Sequence, residues 1–146
     1  MQTASELRDT LQAMRPAQGL SVESQEHAYA LGFAMLEGGD FEKARAAFET
    51  LWLSCPDEAR YAAGLAYSAL GQGQVDLALG YFMLAVSLDE DNAGYLLGLG
   101  RAFQASRLPG HAALALELAQ AMASQAQDRP TAEMAAACLR LMEKPA

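Results

Sequence analysis

Few residues in this chain are of types that carry acid–base, nucleophilic or metal chemistry, and those few are scattered. His27 and His111 are the only histidines. Neither has a cysteine or carboxylate at metal-ligand spacing, so both read as surface histidines. Cys55 and Cys138 form no CxxC pair and read as reduced thiols, Cys55 in a structural place. Gly71-Gln72-Gly73 and Gly98-Leu99-Gly100 have the look of phosphate loops, but neither completes GxGxxG or GxxxxGK. GxSxG and HExxH are absent. The carboxylates Asp89-Glu90-Asp91 lack calcium-loop spacing and read as a solvated linker. This set of residues predicts a protein that is not an enzyme and uses no cofactor and no metal.

The remaining chemistry is that of surfaces. The 146 residues fit one domain of ordinary size, and 52 % are apolar, enough for a sizeable core. Ala and Leu dominate, which favours helix over strand. The formal charge of −8 argues against nucleic acid or an anionic membrane as partner. The chain has no run of 18 uninterrupted apolar residues and no basic-then-apolar leader after Met1. The expected location is therefore the cytoplasm, with no membrane insertion.

Self-similarity organises the whole sequence. Ala44, Ala78 and Ala112 recur at a spacing of 34, and so do Phe48, Phe82 and Leu116. Upstream, Leu31, Leu65 and Leu99 keep the same register, each followed by Gly32, Ala66 or Gly100. Gly39 and Gly73 mark a turn, where the third copy has Arg107. These positions resemble the tetratricopeptide repeat, a helix pair whose small residues allow close approach and whose aromatic fills the space beside them. The first-helix Trp of that pattern is replaced by Ala28, Ala62 and Leu96.

The spacing predicts an all-α solenoid of three tandem tetratricopeptide helix pairs, with a short N-terminal helix and a C-terminal capping helix. Residues 1–20 would hold the first helix (4–14, with Leu7, Leu11 and Met14 on one stripe) and a Pro/Gly linker. Residues 21–127 would hold the repeats, at about 25–58, 59–92 and 93–126. Their helices are expected over 22–37, 41–54, 58–71, 75–88, 92–105 and 109–123. Ser21 and Asp40 are suited to N-caps, and Pro109 to a first helical turn. Residues 128–146 would form the cap, a helix over 130–142 whose stripe of Met134, Cys138, Leu139 and Leu141 covers the open end.

In such a solenoid the first helix of each pair lines the concave face, through positions 2, 5, 9 and 12 of the repeat. These are Glu26, Tyr29, Phe33 and Leu36, then Arg60, Ala63, Tyr67 and Leu70, then Gly94, Leu97, Arg101 and Gln104. The fold does not require apolar residues there, so the large apolar side chains of the first two sets predict an interaction surface. The expected partner-binding set is Tyr29, Phe33, Leu36, Arg60, Ala63, Tyr67, Leu70, Leu97 and Arg101, gripping an extended peptide. Two other occupants would leave no free groove: the N-terminal helix, or a second copy of the chain. Tetratricopeptide domains that clamp a terminal carboxylate use Lys and Asn, whereas Tyr29, Phe33, Gly64, Gly94 and Gly98 stand at such places here.

A narrower resemblance is carried by Tyr29-Ala30-Leu31-Gly32-Phe33, by Gly39 to Phe48, by Arg60-Tyr61-Ala62-Ala63-Gly64-Leu65, by Gly73 to Ala78, and by Leu118-Ala119-Gln120. Over roughly 22–123 the chain resembles the class II chaperones of bacterial type III secretion, which hold the pore-forming translocators. The resemblance implies a cytoplasmic chaperone that binds and shields an apolar secreted translocator before export, without ATP. It also implies groove roles for Tyr29, Phe33, Leu36, Ala63, Leu65 and Phe82, with a short extended segment of the cargo as ligand. Leu36 stands where an aromatic is common in that family, and the N-terminal extension is short. A homodimer would pair through the N-terminal helix. The alternatives are a general tetratricopeptide adaptor and a chaperone of another secretion component, such as the needle subunit.

Overall fold

A computed structural model describes residues 3–13 and 20–143. These residues form eight helices: α1 (Ala4–Ala13), α2 (Val22–Glu37), α3 (Phe41–Ser54), α4 (Ala59–Gly71), α5 (Val75–Leu88), α6 (Ala93–Ala105), α7 (Pro109–Gln125) and α8 (Arg129–Glu143). The proposed linker after α1, and the Leu11 and Met14 positions of its stripe, lie outside the described side chains.

Local chemistry sets the helix ends. The Ser21 hydroxyl accepts the Ser24 amide at 3.1 Å, and an Asp40 carboxylate oxygen accepts the Lys43 amide at 3.3 Å. Asn92 caps α6 through the Tyr95 amide at 3.2 Å. Pro109 occupies the first turn of α7, as its missing N–H requires. The helices α2, α4 and α6 end in one repeated motif. The amides of Gly39, Gly73 and Arg107 bond back to the carbonyls of Leu36, Leu70 and Gln104. The next amides, of Asp40, Gln74 and Leu108, reach Met35, Ala69 and Phe103. The turn residue has positive φ in all three: 80° at Gly39, 77° at Gly73 and 61° at Arg107.

Consecutive helices pack as antiparallel neighbours from α2 to α8, and each first helix also touches the first helix of the next pair. Among the described residues, α1 makes no contact with these helices. The register residues Ala44, Ala78, Ala112, Phe48, Phe82 and Leu116 are all 0 % exposed, so the repeated letters are the core. Burying an aromatic of this size stabilises by roughly 2–3 kcal/mol. The partner of each aromatic is a glycine in the following pair. A Cβ on Gly64 would lie 2.4 Å from the Phe48 ring, and one on Gly98 2.3 Å from Phe82. Pairs two and three therefore seat on pairs one and two by the same device, 34 residues apart.

Two expectations are corrected. Leu31 does not share the burial of Leu65 and Leu99; it is 57 % exposed, because the first pair has no pair before it to pack against. On α8 the expected stripe holds at Cys138, which is buried, and in part at the half-buried Leu139; Met134 and Leu141 are 49 % and 65 % exposed, and Ala135 is buried instead. That helix lies against both α6 and α7 and turns the small Ala135 and Cys138 to them. Cys55 and Cys138 are both free thiols.

Candidate functional site

The first helices α2, α4 and α6 stand side by side and bound an open concavity of about 550 Å³. Eight of the nine residues proposed from the sequence line it: Tyr29, Phe33, Leu36, Arg60, Ala63, Tyr67, Leu70 and Arg101. Leu97 does not. It packs instead with Leu96, Ala119 and Ala135 in the cluster under α8. The same helix occupies Gln104, whose side-chain amide donates to the Cys138 carbonyl at 3.5 Å. Of the positions given by resemblance, Leu65 and Phe82 are 1 % and 0 % exposed and belong to the core.

Aromatic rings dominate the wall. Phe33 is the most open of them, 42 % exposed. Tyr29 lies 6.1 Å from Phe33 and 5.9 Å from Phe48, edge-on to the latter. Tyr67 stands edge-on to Phe82 at 5.0 Å, so one side of its ring is core and the other is groove. Phe41 and Tyr95, which stand outside the expected groove positions, also line the concavity. Phe41 enters because Gly71 has no side chain: a Cβ there would lie 2.4 Å from the Phe41 ring. The signal was in the sequence, since Gly71 precedes the turn glycine Gly73 where the first repeat has Glu37.

The charged groups of the groove differ in their states. Arg60 is held on three sides. It donates to the two Glu26 carboxylate oxygens at 2.9 and 3.3 Å and to Glu58 at 3.2 Å. Its guanidinium carbon also lies 4.7 Å from the centre of the Tyr29 ring. The hydrogen bond from Arg60, and then its charge, hold the Glu26 carboxyl below the usual carboxylate range. Glu26 in turn raises the Arg60 guanidinium, against the opposing effect of burial. Burial raises the phenols of Tyr29 and Tyr67, with Arg60 and Arg101 respectively pulling the other way. The Tyr95 phenol is pushed up to about 12, chiefly by burial.

Among the described residues, no three His, Cys, Asp or Glu side chains gather as a metal site. His27 and His111 are exposed, and the His111 ring lies 5.3 Å from that of Phe103, tilted by 39°. No described helix is long and apolar enough to cross a membrane.

No family model and no curated protein matches this sequence. Solved structures do. PcrH from Pseudomonas aeruginosa is 24 % identical with a TM-score of 0.80, over 88 % of this chain and 100 % of that one. SycD, the type III secretion translocator chaperone of Yersinia enterocolitica, is 20 % identical with a TM-score of 0.77, over 83 % and 91 %. SycD has also been solved with a peptide of the translocator YopD; that chain is 22 % identical with a TM-score of 0.69, over 85 % and 98 %. This chain has the fold of PcrH and SycD. At these identities the likeness is one of architecture: all-α, with helix pairs stacked around a concave face.

Proposed function

We propose that this protein is a cytoplasmic, non-enzymatic chaperone that binds an apolar translocator of type III secretion in its concave groove and shields it before export. The observation that carries the reading is the character of the concavity. Phe33 presents its ring openly to the concavity, and Tyr29, Leu36, Tyr67 and Leu70, each packed on the core by one side, turn further apolar surface into it. The fold adds weight. PcrH has been solved in complex with the chaperone-binding regions of PopB and of PopD, and SycD with a peptide of YopD. Binding here would be stoichiometric: an extended segment places side chains between the rings, and the desolvated apolar contact holds it. Self-association through the N-terminal helix is part of the same proposal, and one SycD structure is described as an alternative dimer.

Phe33→Glu tests it. Phe33 is open to solvent, so a carboxylate there leaves the core intact. Tyr67→Glu is a poorer probe, because that ring also packs on Phe82. A tagged wild-type chain should retain, from the source cell, a protein with long apolar segments, and Phe33→Glu should lose it at unchanged helical content. Retention by both chains would refute the groove assignment. Recovery of soluble assembly components alone would favour a general adaptor.

A further inference from the structure

We propose that Arg101 is a socket for an acidic side chain of the bound peptide, and that this contact sets the peptide's register. The inference rests on the groove reading above and adds the chemistry of one residue of the occupant.

Two arginines line the concavity, and they are not alike. Arg60 is neutralised by Glu26 and Glu58 and lies over the Tyr29 ring. Arg101 is exposed and, among the described residues, enters no ion pair and no hydrogen bond. Arg101 and Tyr67 occupy the same position of consecutive repeats, 34 residues apart on α6 and α4, and both line the concavity. Neither the Tyr67 nor the Tyr95 phenol has a hydrogen-bond partner among the described residues. The part of the groove formed by α4 and α6 thus holds an unpaired guanidinium and two phenols, while the other charged lining residues are the neutralised Arg60 and, from α2, Glu37.

A peptide lying in this groove would strip water from Arg101. Covering it with an apolar side chain would leave a desolvated, unpaired charge, which is costly. A carboxylate opposite it restores the pairing. At the repeat-one side of the same groove stands Glu37, which repels an acid. The two ends therefore distinguish one placement of an acidic residue from the other. The source is an Asp or Glu side chain and not a chain terminus, because a terminal carboxylate needs several donors and Arg101 is the groove's one free cation among the described residues.

The test is selection of a phage-displayed random dodecapeptide library on the full-length wild-type chain, Arg101→Glu and Phe33→Glu. Wild type should enrich apolar peptides with Asp or Glu at one fixed offset from the apolar anchors. Arg101→Glu should enrich Lys or Arg at that offset. Replacing the acid of the best wild-type peptide by its amide should weaken binding about tenfold, an effect that shrinks as salt is raised. Apolar peptides that need Phe33 but show no charge preference at any offset, or the same preference on both chains, overturn the socket and leave the groove standing. Enriched peptides indifferent to Phe33→Glu, or no enrichment on wild type, overturn both.

Discussion

Glu26 and Arg60 occupy the same position of consecutive repeats, 34 residues apart, and close a two-bonded ion pair at 2.9 and 3.3 Å. The pair spans α2 and α4, so it joins two helices that otherwise meet through few side chains. It also fixes Arg60 over Tyr29, and thereby orients one ring of the groove wall. A position that could have served the ligand is used here to shape the site.

The first prediction concerns that clip. Arg60→Ala should lower stability by about 1 kcal/mol, through lost cation–π and ion-pair contacts. The Glu26 carboxyl is depressed in the folded state. Its contribution is therefore present above the ordinary carboxylate pKa and lost as pH falls through the depressed value. Thermal unfolding of wild type and Glu26→Gln should differ at neutral pH and converge once the pH has fallen below the depressed pKa of Glu26. A difference that persists undiminished in acid would refute the assignment.

The second prediction concerns the seat between pairs. Gly64→Ala would bring a Cβ to 2.4 Å from the Phe48 ring, which is fully buried and has nowhere to go. The cost should be about 1–3 kcal/mol in urea unfolding, with the denaturant slope unchanged. Gly98→Ala should behave alike against Phe82. Gly80 in α5 is the contrast: nothing lies within 4 Å of its Cβ, so Gly80→Ala should stabilise by roughly 0.5–1 kcal/mol. Equal effects at Gly64 and Gly80 would mean that propensity, not contact, decides.

Most helix ends were legible because their causes are local. Ser21, Asp40, Pro109 and the glycines at 39 and 73 act on their own neighbourhoods, and α2, α3 and α5 begin and end at the residues the spacing indicated. The concave set was legible for the first two repeats, since period alone places it. It failed at Leu97 and Gln104, because α8 packs beside α6 and takes those side chains, a tertiary fact no repeat position carries. On α8 the expected stripe is buried at Cys138 and half-buried at Leu139, whereas its large ends Met134 and Leu141 stay open and the small Ala135 is buried in their place. The difference between Arg60 and Arg101 was equally hidden: both fill groove positions, but only Arg60 has carboxylates at 26 and 58 within reach.

The last prediction turns on the third turn residue. Arg107 has φ 61°, where its counterparts Gly39 and Gly73 have 80° and 77°. The same pair of backbone bonds closes all three turns, so the conformation is imposed by the motif and not by the residue. A side chain in this region costs about 1–2 kcal/mol against the right-handed region. Glycine removes that cost but raises the entropy of the unfolded chain, which offsets part of the gain. Arg107→Gly should therefore stabilise by a net ~0.5–1 kcal/mol, and Gly39→Arg should destabilise by a similar amount, both read from urea midpoints at constant slope. Because Arg107 is exposed and has no ion-pair partner among the described residues, little else changes with it. A midpoint for Arg107→Gly at or below that of wild type would show that this turn is not strained.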